Sequence, residues 1–136
     1  MPTAIETVTN FLDDCAKGNA ELHQAFRTYF TPQTRYENIG WSDTTGIDEA
    51  IEIIRTFEKA IGMATFRVDM LAIAADGNRV LTERIDYMVD ADGKDFMNLA
   101  VMGVFEVSDG KITAWRDYFD TAGFTPPKIE GEEQLS

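Results

Sequence analysis

Apolar residues recur at helical spacing over the first sixty positions, then switch to every second position. Ile5, Val8, Leu12 and Cys15 share one helix face. Thr3 and Glu6, spaced T-x-x-E just before them, form a capping box, and Gly18 is a natural stop. A second helix is expected over Asn19 to Phe30, with Leu22, Phe26, Tyr29 and Phe30 inward and Pro32 ending it. Residues Gln33 to Ile39 alternate as a short strand, with Tyr36 and Asn38 on one face and Arg35, Glu37 and Ile39 on the other. Trp41 to Gly46 reads as a loop. Ile47, Ile51, Ile54, Phe57 and Ile61 define a third helix, closed by Gly62.

From Phe66 onward the period is two. Strands are expected at Phe66–Ala74, Arg79–Val89, Phe96–Val107 and Lys111–Phe119. Asp76-Gly77, Asp92-Gly93 and Asp109-Gly110 separate them, and Asp-Gly between alternating runs signals a hairpin. The third long strand is apolar on both faces, with Met97, Leu99, Val101 and Phe105 alternating with Ala100, Met102 and Val104. It belongs in the middle of a sheet, covered on both sides. The fold expected is α+β: a curved, mixed, mostly antiparallel sheet wrapped on one side by three N-terminal helices. A cone of this kind encloses an apolar pocket. Residues 1–124 form one domain in this reading, and 125–136, rich in proline and acids, form a loose tail.

Composition narrows the function. The chain of 136 residues has a formal net charge of -12, which repels nucleic-acid backbones and anionic lipid heads. No run is long and apolar enough to span a bilayer, and the N-terminus lacks a basic signal-peptide region, so cytoplasmic is the default reading. Cys15 is the one cysteine, which excludes an intrachain disulfide and cysteine-pair zinc motifs. It falls on the apolar stripe and reads as a buried thiol. His23 is the one histidine, and reads as partly exposed or hydrogen-bonded. No metal and no cofactor are expected.

The candidates for chemistry lie in the strands. Arg84 and Asp86 share a face with Val80, Thr82 and Met88. Both faces of that strand mix charged and apolar residues, so alternation does not decide which looks inward. Asp117 shares its face with Trp115 and Phe119. A carboxylate between two aromatics needs a partner, and Arg84 is the obvious one. The plainer reading is a surface cross-strand ion pair of little energetic weight. Tyr36 and Asn38 add polar groups able to hold a water, although such residues in a short strand are most often structural.

The segments YENIG, TERIDYM and NLAVMGVFEVSDGKITAWRDYFD, at 36–40, 82–88 and 98–120, resemble the limonene-1,2-epoxide hydrolase family. The resemblance implies the cone-shaped fold named after nuclear transport factor 2 and shared by SnoaL-like proteins. It also implies an Asp–Arg–Asp site at Asp117, Arg84 and Asp86, a water held by Tyr36 and Asn38, and a homodimer. The substrate it implies is a small hydrophobic epoxide, opened to a vicinal diol in one step. Two other readings remain open. One is a proton-transfer enzyme like ketosteroid isomerase or a polyketide cyclase, and the other is a non-catalytic module that binds an apolar ligand.

Overall fold

A computed structural model of the chain describes residues 2–123. The tail expected over 125–136, and the domain boundary at 124, lie outside the described residues.

Helix α1 (Ala4–Cys15) begins with the capping box. The Thr3 hydroxyl accepts from the Glu6 amide at 3.1 Å, and the Glu6 carboxylate accepts from the Thr3 amide at 3.0 Å. Helix α2 (Asn19–Tyr29) follows Gly18 and runs directly into strand β1 (Phe30–Asn38). Strand β2 (Ser42–Thr45), helix α3 (Ile47–Ile61) and strands β3 (Thr65–Asp76), β4 (Arg79–Val89), β5 (Asp95–Ser108) and β6 (Lys111–Tyr118) complete the order.

Two expectations need correction. The loop expected at Trp41 to Gly46 contains β2, which pairs antiparallel with β1 from Asn38↔Ser42 to Arg35↔Thr45. Its sequence, Ser-Asp-Thr-Thr, is short and has no apolar alternation, because it is an edge strand. Strand β1 also starts at Phe30 rather than Gln33, and α2 ends at Tyr29. Pro32 is tolerated because the pairing of β1 with β6 skips between Phe30 and Arg35. In that gap the Thr34 hydroxyl takes the place of the ladder, donating to the Ile112 carbonyl at 2.6 Å.

The six strands form one sheet in the order β2-β1-β6-β5-β4-β3. All neighbours are antiparallel except β1 and β6. Irregularities at Met70/Ala72, Met88/Val89 and Glu106/Val107 interrupt the ladders. Bulges of this kind strengthen local twist and curl a sheet. The Asp109-Gly110 turn places both residues at positive φ, 51° and 75°, as a two-residue hairpin with matching twist requires.

The helices cover the concave face only. Phe11 is fully buried and lies on the α1 stripe, although the spacing reading left it out. It meets Phe26, Phe30 and Trp115 with ring centroids 5.4–5.8 Å apart. This aromatic plug closes one end of the cone. Cys15 is buried beside it, and burial raises its thiol pKa. His23 binds Glu58 of α3 at 2.9 Å and joins α2 to α3. Among the described residues no helix is long and apolar enough to cross a membrane.

Strand β5 is interior, as expected, but the described residues cover only its concave side. Val101, Gly103, Phe105 and Val107 are buried, whereas Phe96, Ala100 and Met102 are exposed.

Candidate active site

The register of the sheet builds the site in rows. Asn38 of β1 pairs with Asp117 of β6, Asp117 with Gly103 of β5, and Gly103 with Thr82 of β4. The row below it runs Tyr36, Trp115, Phe105, Val80. All eight side-chain positions point into the cone, because alternation returns the same face every second residue. The lower row is an aromatic floor. Trp115 stacks on Tyr36 with centroids 4.5 Å apart and on Phe105 at 5.0 Å.

Arg84 and Asp86 follow Thr82 on β4 and share its concave face. The inward face, left open by the sequence, is therefore the one carrying Val80, Thr82, Arg84, Asp86 and Met88. Arg84 is 0% exposed. Its guanidinium has five N–H donors, and all five have an acceptor. Nε and Nη2 reach the Asp86 carboxylate at 3.0 and 2.8 Å. Nη1 and Nη2 reach the Asp117 carboxylate at 3.0 and 2.8 Å. The second Nη1 donor goes to the Thr82 hydroxyl at 3.1 Å. Each carboxylate thus takes one edge of the guanidinium in a two-point fork.

This is not a surface ion pair. A buried guanidinium without partners would cost several kcal/mol, on the order expected for an uncompensated buried charge. With both acids ionised the trio carries one net negative charge, and with one proton it is neutral. An apolar surrounding favours the neutral form.

Asp117 accepts a third bond, from Trp115 Nε1 at 2.7 Å. Burial pushes its carboxyl above the ordinary carboxylate value, while the charge and hydrogen bonds of Arg84 oppose that rise. Burial, reinforced by the charge of Asp117, also holds the Tyr36 phenol well above its usual value, so it stays neutral. For Arg84, burial works against the charge. The two aspartates outweigh it and keep the guanidinium protonated.

Above the carboxylates lies a cavity of about 630 Å³. Tyr36, Asn38, Thr56, Asp86 and Asp117 are among its polar lining residues. Ile54, Phe57 and Ile61 of α3 face Met88, Met97 and Leu99 of the sheet across it. Ile61, the last residue of α3 and 41% exposed, also lines this cavity. Arg84 does not line the cavity; it lies behind the two aspartates.

The structure thus brings all five residues singled out from the sequence to one place. Other residues at the site escaped the sequence reading. Trp41, in the turn before β2, stacks on Phe57 at 4.5 Å and forms part of the cavity wall. Ser42 accepts from the Asn38 side-chain amide at 2.9 Å and orients it. Gly103 and Thr82 complete the row beneath Arg84. The available signal was a lone glycine inside an otherwise apolar strand, which marks a close approach.

The family model for the limonene-1,2-epoxide hydrolase catalytic domain matches residues 2–125. The chain belongs to the limonene-1,2-epoxide hydrolase family. Within and around this family, it is 44% identical over 85 residues to epoxide hydrolase EphG of Mycobacterium tuberculosis. That match covers 62% of this chain and 54% of the relative, so it spans about half the length of EphG. The structure of a Mycobacterium tuberculosis epoxide hydrolase described as similar to limonene-1,2-epoxide hydrolase superposes with a TM-score of 0.69 at 36% identity, covering 87% of this chain and 79% of the other. An NTF2-like protein from Burkholderia pseudomallei superposes with a TM-score of 0.71 at 19% identity, covering 90% and 95%. This last likeness extends to the fold alone.

Proposed function

We propose that this member of the limonene-1,2-epoxide hydrolase family adds water to a small hydrophobic, cyclic or terpenoid epoxide and yields a vicinal diol. One observation carries the reading: two carboxyls, bridged by one fully buried guanidinium, stand at the floor of an apolar cavity. Epoxide opening needs a nucleophile on carbon and a proton on the departing oxygen. The trio can supply both functions without a covalent link to the protein.

In this mechanism Asp117 is the ionised base. It takes a proton from a water that Tyr36 and Asn38 hold, as the water oxygen bonds to an epoxide carbon. The ring C–O bond breaks, and Asp86 gives its proton to the oxygen. The proton gained by Asp117 and the one lost by Asp86 balance, so the trio ends one internal transfer from its starting state. The assignment of roles rests on the donors each acid receives. Asp117 accepts three N–H bonds and Asp86 accepts two, and hydrogen bonds to a carboxylate favour its charged form. Burial opposes that preference by raising the Asp117 carboxyl above the ordinary value, and it makes Asp117 a stronger base once ionised. The neutral phenol of Tyr36 suits it to hold water rather than to take a proton. General acid and general base contributions are each worth roughly 10²–10⁴-fold in rate. Positioning of the water adds to them.

The test is incubation with a panel of small cyclic epoxides, with the products read by mass spectrometry. Diol formation that disappears with Asp117→Asn supports the proposal. Absence of diol from every member of the panel counts against it.

We also propose a homodimer joined through the convex face of the sheet. Leu71, Ile85, Ala100, Met102 and Tyr118, with Glu83 among them, share a shallow depression there. Met102 is 53% exposed and Leu71 57%. A mainly apolar patch of this kind fits an interface, and a two-fold pairing would bury both copies at once.

A further inference from the structure

Arg84 and Asp117 stand on strands that are not neighbours. Strand β5 runs between them, and residue 103 occupies the position over which they must meet. That residue is glycine. A Cβ built there would collide with Arg84 Nη1 and Asp117 Oδ1, and would lie 3.0 Å from Thr82 Oγ1. Gly103 is not among the glycines at positive φ, so its backbone conformation does not call for glycine. Space does. The guanidinium crosses the sheet through the volume that a side chain at 103 would fill.

Thr82 occupies the other side of that volume. It is 1% exposed, accepts from Arg84 Nη1, and donates to the Gly103 carbonyl at 3.1 Å. The hydroxyl is therefore used in both senses, which fixes its rotamer. Neither Thr82 nor Gly103 lines the cavity.

We propose that Thr82 and Gly103 are positioning residues, forming a seat that holds the Arg84 guanidinium in the one plane where Asp86 and Asp117 each engage an edge. Gly103 gives the passage and Thr82 takes the fifth donor. Without that acceptor one buried Nη1 donor is left unpaired, and the Nη1 end that also holds Asp117 Oδ1 loses one of its two anchors. The catalytic consequence rests on the acid–base reading of the trio given above; the seat itself does not.

Two readouts separate these levels. Thr82→Val keeps the side-chain shape and removes the acceptor, whereas Thr82→Ser keeps the hydroxyl. The valine variant should lower kcat roughly ten- to a hundred-fold, the scale of a lost buried hydrogen bond to a charged group, at a nearly constant KM. Its acid limb should move to higher pH, because Asp117 loses part of the Arg84 contact that opposes its raised pKa. Serine should restore both. A residue needed only for folding would restore neither selectively. The second readout is nitrogen-15 NMR of the Arg84 guanidinium, which requires no substrate. The wild-type protein should show distinct, slowly rotating Nη protons, and Thr82→Val should release those on Nη1. Gly103→Ala should disturb the same signals more strongly. Freely rotating Nη1 protons in the wild type would overturn the seat, even if the valine variant failed to fold. So would a valine variant with wild-type kcat and acid limb. Wild-type protein with the expected guanidinium signals but no diol product would strike down the epoxide reading and leave the seat standing.

Discussion

On strand β4 each face departs from the usual rule of burial in its own way. Inward lie Thr82, Arg84 and Asp86, all buried. Outward, on either side of the exposed Glu83, lie Leu81 and the half-buried Ile85, and beside them on neighbouring strands Leu71 and Met102, both more than half exposed. A charged trio lies inside, and exposed hydrocarbon lies outside. The concave face tolerates its charges because every Arg84 donor is satisfied and both aspartates are forked onto it. The convex face has no such internal solution, since its apolar groups can be relieved only by covering them. Buried polarity that is fully paired points to chemistry. Exposed hydrocarbon that is contiguous points to a partner.

The concave half of this comparison breaks most easily at the trio. Arg84→Gln, Asp86→Asn and Asp117→Asn should each lower kcat by on the order of 10²–10⁴-fold. Combining them should cost little more than the worst single change, because the three act as one unit. Near-normal turnover in Asp86→Asn would remove it as the proton donor. Tyr36→Phe and Asn38→Ala should cost less than the trio variants, since other groups still hold the water. Steady-state kinetics on folded variants decides all of these.

A pH profile sharpens the same half. Asp117 must be ionised to act as base, and burial raises its pKa above the ordinary carboxylate value. Activity should therefore be lost as pH falls through a value higher than an exposed aspartate would give. In the proposed mechanism the alkaline limb reports loss of the proton from the donor acid, and the apparent values belong to the coupled group. A rate that keeps climbing into alkaline solution would contradict a carboxylic acid as donor.

The convex half has a smaller expected effect, on assembly rather than chemistry. Light scattering should give twice the 15.2 kDa chain mass at micromolar concentration. Met102→Glu, which puts a charge into the exposed patch, should shift the population towards the single chain. A wild-type mass of one chain would mean that the patch has another role.

Much of this architecture was legible because it is periodic. The capping box at Thr3 and Glu6, the α3 stripe and the Asp109-Gly110 hairpin are local signals, and they survive in the fold. Strand β2 was not legible, since an edge strand of Ser-Asp-Thr-Thr carries no alternation. Helix α2 does stop short of Pro32, but the start of β1 at Phe30 was not legible, because Pro32 sits in a break of the β1–β6 pairing. At the site, alternation put Arg84 and Asp86 on one face but could not choose the inward one. That choice depends on the pairing of β4 with β5 and β6, which only the register reveals. The same holds for Gly103. Its role follows from lying between Thr82 and Asp117 in a row of the sheet, a relation among residues 21 apart and 14 apart in the chain.

The most direct test of the mechanism is a single turnover with enzyme in excess over a cyclic epoxide, in ¹⁸O-labelled water. Direct attack by water, with Asp117 as base, puts the label in the diol and leaves the protein unlabelled. Label recovered in the carboxyl of Asp117 or Asp86 would mean an ester intermediate and would contradict the one-step account.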